Sequence, residues 1–181
     1  YANWSRTGCT CSGRGRSSGE GTSRHRGMPQ RMSDQTPLGW REWIELPDLH
    51  IPRIKAKIDT GARTSALHAF HVEPFTREGQ SWVRFSIHPL QGDTARVVQC
   101  EAPVKDRRVV RDSGGHEELR YVIDTEVKIG EDRFRAEMTL TDRDTMAFRV
   151  LLGRTALRAR YVIHPGRSYL QGKPTRRIKE A

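Results

Sequence analysis

The sequence predicts an all-β fold, a small closed barrel of mostly antiparallel strands with one short C-terminal helix. Three observations carry this expectation. Apolar and polar residues alternate with period two in run after run, the pattern of strands that bury one face. Gly, Pro and Asp cut these runs into short pieces, as in closed sheets of short strands. Only "RTALRAR", after Gly153, reads as a helix, so there is no βαβ rhythm and no repeat of solenoid length.

The elements follow in chain order. Residues 1–34 are dominated by Gly, Ser, Arg and Thr and hold almost nothing to bury, so a disordered basic leader is expected. The chain opens with Tyr1, and Met28 and Met32 are both candidate translation starts. A folded domain is expected over 35–175, with a basic tail at 176–181. "LGWREWIELPDLHIPRIKAKIDTG" contains two strand candidates split by a turn region from Pro47 to Pro52. In the second, Ile54, Ala56 and Ile58 alternate with Lys55 and Lys57. "SWVRFSIHPL" repeats the pattern through Val83, Phe85 and Ile87, and "DRFRAEMTL" through Phe134, Ala136, Met138 and Leu140. "RVVQCEAPV", "LRYVIDTEVKIG", "FRVLLG" and "RYVIHP" are further strand runs. "VKDRRVVRDSGGHEELRYVI" reads as a projecting hairpin, two polar arms around Ser113, Gly114 and Gly115. Such a tip serves equally an ordinary surface hairpin or a mobile cover over a cleft.

The formal net charge of +10 invites a nucleic-acid reading. The leader supplies six Arg against two acids, and the remaining excess is scattered through segments such as "KDRRVVRD" and "PTRRIKEA". A solvated basic surface is therefore favoured over a dedicated nucleic-acid face, with association to RNA or a ribosome a weaker reading. No apolar run approaches the roughly 20 residues that cross a bilayer, and the leader lacks the apolar core of a secretory signal, which predicts a cytoplasmic protein. Cys9, Cys11 and Cys100 are too sparse for a disulfide framework, and Cys100 reads as a core or surface thiol.

The stretch carrying chemistry is Asp59-Thr60-Gly61, where a one-face-buried strand ends in an acid and a tight turn. Burial disfavours a charged carboxylate, so a merely structural acid here needs compensation. Thr60 offers a hydroxyl to lock the turn, and Gly61 lets backbone or substrate approach. Two such carboxylates about 3 Å apart share one proton, and the pair can activate water while protonating a leaving group. The sequence holds a single Asp-Thr-Gly; Ile123-Asp124-Thr125 is followed by Glu126 and reads as plain strand. A second acid would come from another copy, across a two-fold axis.

"KIDTGARTSAL" resembles the catalytic segment of retropepsin-like aspartic peptidases, and "FRVLLGRTAL", about 90 residues later, resembles their second signature. "SGG" lies between them, where the flap of that family belongs. "LGWREWIELPDLHIPRIKAKIDTGARTSALHAF", "VRFSIHPLQ", "DSGGHEELRYVI" and "LTDRDTMAFRVLLGRTAL" are similar to bacterial retropepsin-like proteins often labelled "ATP-dependent zinc protease". Those proteins are associated with the ATP-grasp ligase that adds glutamates to a ribosomal protein. The resemblance runs from residue 38 to about 172. It implies a homodimeric peptidase domain with Asp59 as catalytic acid/base, Thr60 and Gly61 as its supporting turn, and Ala62 and Arg63 beside the substrate. It further implies Ser113, Gly114 and Gly115 as a flap tip over the substrate, and Gly153 and Arg154 as the structural second signature. Its partners would be a protein or peptide substrate, the ligase or a ribosomal protein.

One position departs from the family. Viral retropepsins carry an Asp two residues after the Gly, which pairs with the Arg of Gly-Arg; here that position is Arg63. Arg63 and Arg154 would repel in that geometry, so Asp142 or Asp144 of "TDRDT" is expected to pair with Arg154. Arg63 would then present a donor fork to a substrate carboxylate, selecting acidic tails. The family label is not matched by ligand motifs. There is no His-Glu-x-x-His and no Cys-x-x-Cys; His68 and His71 would have a usable spacing if "SALHAFH" were helical, with Cys100, His88 or His116 to complete a set. No phosphate-cradling Gly-x-x-x-x-Gly-Lys-Ser/Thr loop occurs, and "GRGRSSGEG" lacks both its Lys-Ser/Thr ending and a preceding strand. No metal or cofactor is expected. A binding module that regulates a glutamate ligase or grips acidic tails, catalysing little, is the competing reading.

Overall fold

The computed structural model describes residues 35–93, 95–111, 115, 117–142 and 147–173. The expected leader, its Cys9 and Cys11, and the 176–181 tail lie outside them. The strands are β1 (Thr36–Gly39), β2 (Arg41–Leu46), β3 (Ile51–Ile58), β4 (Ser65–His68), β5 (Phe70–Arg77) and β6 (Gln80–Ile87). They continue as β7 (Val98–Arg111), β8 (Glu117–Ile129), β9 (Asp132–Thr141), β10 (Val150–Leu152) and β11 (Tyr161–His164), with one turn of helix, α1 (Arg154–Leu157). The all-β expectation holds. Among the described residues no helix is long and apolar enough to cross a membrane.

Nine strands form one sheet in the order β2-β3-β10-β4-β9-β8-β7-β6-β5. A β2–β8 pairing at Glu45 and Lys128 closes the first six into a ring, and their side chains form an ion pair at 3.1 Å. Three pairings are parallel: β3 with β10, β4 with β9, and β1 with β11 in a separate two-stranded sheet. The predicted alternations set the ring's interior. Ile54, Ala56 and Ile58 of β3 are buried, as are Phe134, Ala136, Met138 and Leu140 of β9, Val150 and Leu152 of β10, and Ile123, Val127 and Ile129 of β8. Each fully buried Ile or Leu contributes about 1.5–3 kcal/mol of transfer free energy, so these rows fix the register of every strand that carries them. Cys100 is a core thiol, and burial pushes its pKa up to about 11.

Two strands run through a stretch with no clear alternation. β4 is four residues long and buries Ser65, Leu67 and His68, because it sits between β10 and β9 with both faces covered. β5 is the outermost strand of the order, mostly exposed, and tolerates Pro74 there. His68 therefore ends strand β4 and His71 sits at an irregularity of β5 with a left-handed φ of 49°, so the helical spacing considered for a metal pair does not arise.

A charge lies where the pattern suggests none. Glu42 alternates with Ile44 and Leu46 on the buried side of β2 and is fully buried. Its carboxylate accepts hydrogen bonds from the Gly39 N–H at 2.6 Å, the Leu170 N–H at 2.9 Å and the Gln171 N–H at 3.3 Å. Three N–H donors replace the water the carboxylate gives up. The 167–171 segment is further tied by the Tyr169 N–H to the Arg41 carbonyl (2.9 Å) and by the Arg167 carbonyl accepting from the Trp40 N–H (2.8 Å). Gly39 has no room for a Cβ against the Arg167 carbonyl oxygen.

Candidate active site

The Asp59 turn is built where β3 and β10 run out side by side. Ala56, Lys57 and Ile58 pair with Val150, Leu151 and Leu152, and the Asp59 N–H donates to the Leu152 carbonyl at 2.9 Å. The chain then turns on the acid's own side chain. Asp59 Oδ1 accepts the Gly61 N–H at 3.0 Å and the Ala62 N–H at 3.1 Å, and among the described residues all its side-chain hydrogen bonds fall on that oxygen. A Cβ on Gly61 would sit 3.2 Å from Oδ1, tight enough to favour glycine. Thr60 and Gly61 are exposed and Asp59 is half-buried.

The second signature clamps this turn. Arg154 Nη1 donates to the carbonyls of Thr60 (2.9 Å) and Gly61 (2.8 Å). The Arg154 N–H donates to the Ala62 carbonyl at 3.0 Å, and the Thr155 N–H and hydroxyl both donate to the Arg63 carbonyl at 3.0 Å. Gly153 permits this contact, because a Cβ there would meet the Thr64 carbonyl oxygen at 2.5 Å and the Arg63 carbonyl oxygen at 2.9 Å. Below it, the Gly153 N–H donates to Ser65 Oγ at 3.2 Å, and Thr139 Oγ1 donates to the Ser65 carbonyl at 3.1 Å. Residues 59–65 and 152–155 are thus one hydrogen-bonded unit.

This corrects the expected partner of Arg154. Backbone carbonyls, not a carboxylate of "TDRDT", take its guanidinium; Asp142 is not its partner, and Asp144 lies outside the described residues. A carbonyl clamp leaves no role for an acid at position 63, so two arginines coexist. Arg63 is exposed and lines an open cleft of about 730 Å³ with Thr60, Arg154, Leu157, Arg158 and Tyr161. Asp59 is not among the cleft's lining, so this cavity stands beside the acid rather than over it.

The expected hairpin is present. β7 and β8 pair from Val104–Ile123 out to Arg111–Glu117, and Gly115 beyond them has a φ of 84°, in the region glycine favours. Ser113, Gly114 and the possible ligand His116 lie outside the described residues. The hairpin's base is fastened to β9 by charge. Glu137 pairs with Arg108 at 2.7 Å and Lys105 at 3.0 Å, and these two cations hold its carboxyl down at about 2. Farther out, Val109 and Leu119 form a cross-strand pair exposed to solvent.

Sequence patterning did not single out two buried cations. Arg149 is 8% exposed and its Nε and Nη1 have no hydrogen-bond partner among the described residues. Arg120 is 7% exposed; its Nε donates to Glu118 at 2.7 Å while Nη2 has none.

The family model described as "Retropepsin-like aspartic endopeptidase RimB" matches residues 37–174. Curated relatives include a "Probable alpha-L-glutamate ligase" of Shewanella pealeana, 43% identical over 75% of this chain and 30% of that protein. A protein of the same name from Desulfotalea psychrophila is 45% identical over 71% of this chain and 28% of its own length. The chain thus spans less than a third of these relatives. Among solved structures, the protein Lpg0085 of Legionella pneumophila, of unknown function, matches with a TM-score of 0.64 at 22% identity, over 75% of this chain and 98% of that one, a likeness of fold. With both signatures joined in one hydrogen-bonded unit and the family model spanning the whole ring, this chain belongs to the RimB-like family of retropepsin-like aspartic endopeptidases.

Proposed function

We propose that the domain is an aspartic-type peptidase whose working site pairs Asp59 from two copies of the chain. One carboxylate, ionised, takes a proton from a water that attacks the scissile carbonyl carbon. The other, protonated, gives its proton to the carbonyl oxygen, and collapse of the resulting diol passes a proton to the departing amide nitrogen. Thr60 and Gly61 form the turn that presents the acid, Ala62 and Arg63 flank the substrate, and Ser113, Gly114 and Gly115 cover it. The observation that carries this reading is the hold on Asp59: Oδ1 is fixed by two N–H groups, in a turn whose Thr60 and Gly61 are exposed and which Arg154 clamps. The excess of Arg around the turn supports acidic, glutamate-rich peptides as substrates.

The test is Asp59→Asn. It is expected to abolish cleavage of glutamate-rich peptides while sedimentation still reports a dimer. Cleavage that persists in the variant, or a wild-type protein that is monomeric while active, overturns the reading. A second reading, a module that regulates a glutamate ligase with little catalysis of its own, is favoured by the ligase names of relatives in which this segment is under a third of the chain. Under it, Asp59→Asn leaves ligase regulation unchanged.

A further inference from the structure

A guanidinium buried without a partner is among the most costly groups a fold can carry. Among the described residues nothing partners Nε or Nη1 of the buried Arg149, and its place in the sheet gives it a use. Val150 and Leu152 of β10 point into the core, so Arg149 and Leu151 occupy the other face. On neighbouring β3 the same parity puts Lys55 and Lys57 on that face, with Asp59 the next residue of the series at the strand's end. β4 continues the row. The His68 N–H donates to the Arg149 carbonyl at 2.8 Å, and His68 pairs with Thr141 of β9. Val122 of β8 pairs with Thr139, so Arg120 and Thr141, each two residues further along antiparallel strands, fall on this face as well. Thr141 is 2% exposed, and its hydroxyl has no partner among the described residues.

We propose that Arg149, supported by Arg120 and the Thr141 hydroxyl, is the specificity-determining subsite of this peptidase, receiving a carboxylate side chain of the substrate. This deepens the proposed function and rests on it for the word substrate. The subsite shares a sheet face with Asp59. Ile58 pairs with Leu152, so Asp59 is level with Gly153 and Arg149 lies four residues back along the sheet, about 13 Å at 3.3 Å per residue. That is the span of about four residues of an extended peptide, which places the recognised acid within about four residues of the scissile bond. A carboxylate fits this guanidinium: the edge formed by Nε and Nη2 matches its two oxygens, and the bound acid supplies the opposite charge that no described residue gives. Arg63, being exposed, offers only a screened contact worth at most about fivefold in affinity. A desolvated pair at Arg149 is worth roughly ten- to a hundredfold.

The test measures binding apart from cleavage. In an Asp59→Asn background, fluorescence anisotropy compares a glutamate peptide with its glutamine counterpart. Arg149→Met, close in shape and uncharged, is expected to cut the preference for glutamate roughly ten- to a hundredfold and to leave the thermal midpoint unchanged or higher, since an unpaired buried charge is removed. Arg149→Lys keeps the charge without the fork and is expected to retain part of the preference. Arg63→Ala should change it fivefold or less. No preference for glutamate in the parent, or a preference that survives Arg149→Met, overturns the assignment. So does a lowered midpoint with the preference intact, which would make Arg149 structural. If glutamate binding depends on Arg149 but the native chain cleaves nothing, the peptidase reading fails while this subsite stands. Cleavage of acidic peptides indifferent to Arg149 gives the reverse.

Discussion

The union of the two signature segments can be tested at one hydrogen atom. Gly153→Ala adds a methyl group where the backbone of another segment already lies, 2.5 Å from the Thr64 carbonyl oxygen and 2.6 Å from its carbon. The backbone torsions at Gly153, φ −82° and ψ 172°, suit alanine, so sterics alone decide the outcome. Overpacking against a rigid neighbour costs about 1–3 kcal/mol. Pushing the segments apart also strains the bonds from the Arg154 and Thr155 N–H groups to the Ala62 and Arg63 carbonyls, at about 1 kcal/mol each. Reduced freedom of the unfolded chain returns about 0.4–1 kcal/mol. The net is a destabilisation of about 2–4 kcal/mol, which lowers Tm by about 6–15 °C for a domain of this size. Differential scanning calorimetry reads it directly. Gly166→Ala is the control, because nothing lies within 4 Å of its added Cβ; its Tm should move by less than about 2 °C. Equal midpoints for the two variants would refute the close packing of Gly153 under residues 63 and 64.

Two other predictions follow from the clamp and from the hairpin's base. Arg154→Met removes both bonds to the Thr60 and Gly61 carbonyls and should cost about 1–2 kcal/mol in chemical denaturation, with a proportionally larger loss of peptide cleavage because the released turn carries Asp59; cleavage unchanged at reduced stability would detach the clamp from the chemistry. Glu137 has its carboxyl depressed in the fold from the ordinary 4.5 to about 2 by Arg108 and Lys105, so its stabilising contribution is present above pH 4.5 and is lost as the pH falls toward 2. Glu137→Gln should therefore flatten the fall of Tm in acid and raise amide exchange in β7 and β8 at neutral pH, and parallel acid profiles for the two proteins would contradict the assignment.

Local chemistry made much of this site legible. An Asp followed by Thr and Gly at a strand end encodes its own turn, since Oδ1 needs only the amides of residues 61 and 62. Gly153 and Arg154 announced themselves by their position between an apolar strand and a helix start. The partner of Arg154 was not legible, because a search for opposite charge overlooks backbone carbonyls, which every residue supplies. β4 escaped for a related reason: between two strands and covered on both faces, it has no polar side to alternate with. Nothing in the sequence marks Glu42 or Arg149, since only the assembled ring decides that three amides surround the first and that no described partner reaches Nε and Nη1 of the second.

The Glu42 carboxylate gathers amides from residue 39 and from residues 170 and 171, while β1 lies alongside β11. Entry to and exit from the folded body are therefore neighbours, fastened at one knot. A module with adjacent doors can be spliced into a larger polypeptide without either junction crossing its core, which gives a structural rationale for a segment of this kind occupying under a third of its ligase-named relatives. Cutting that knot, by Glu42→Gln, would loosen the portal first and leave the distant Asp59 turn its own local hydrogen bonds.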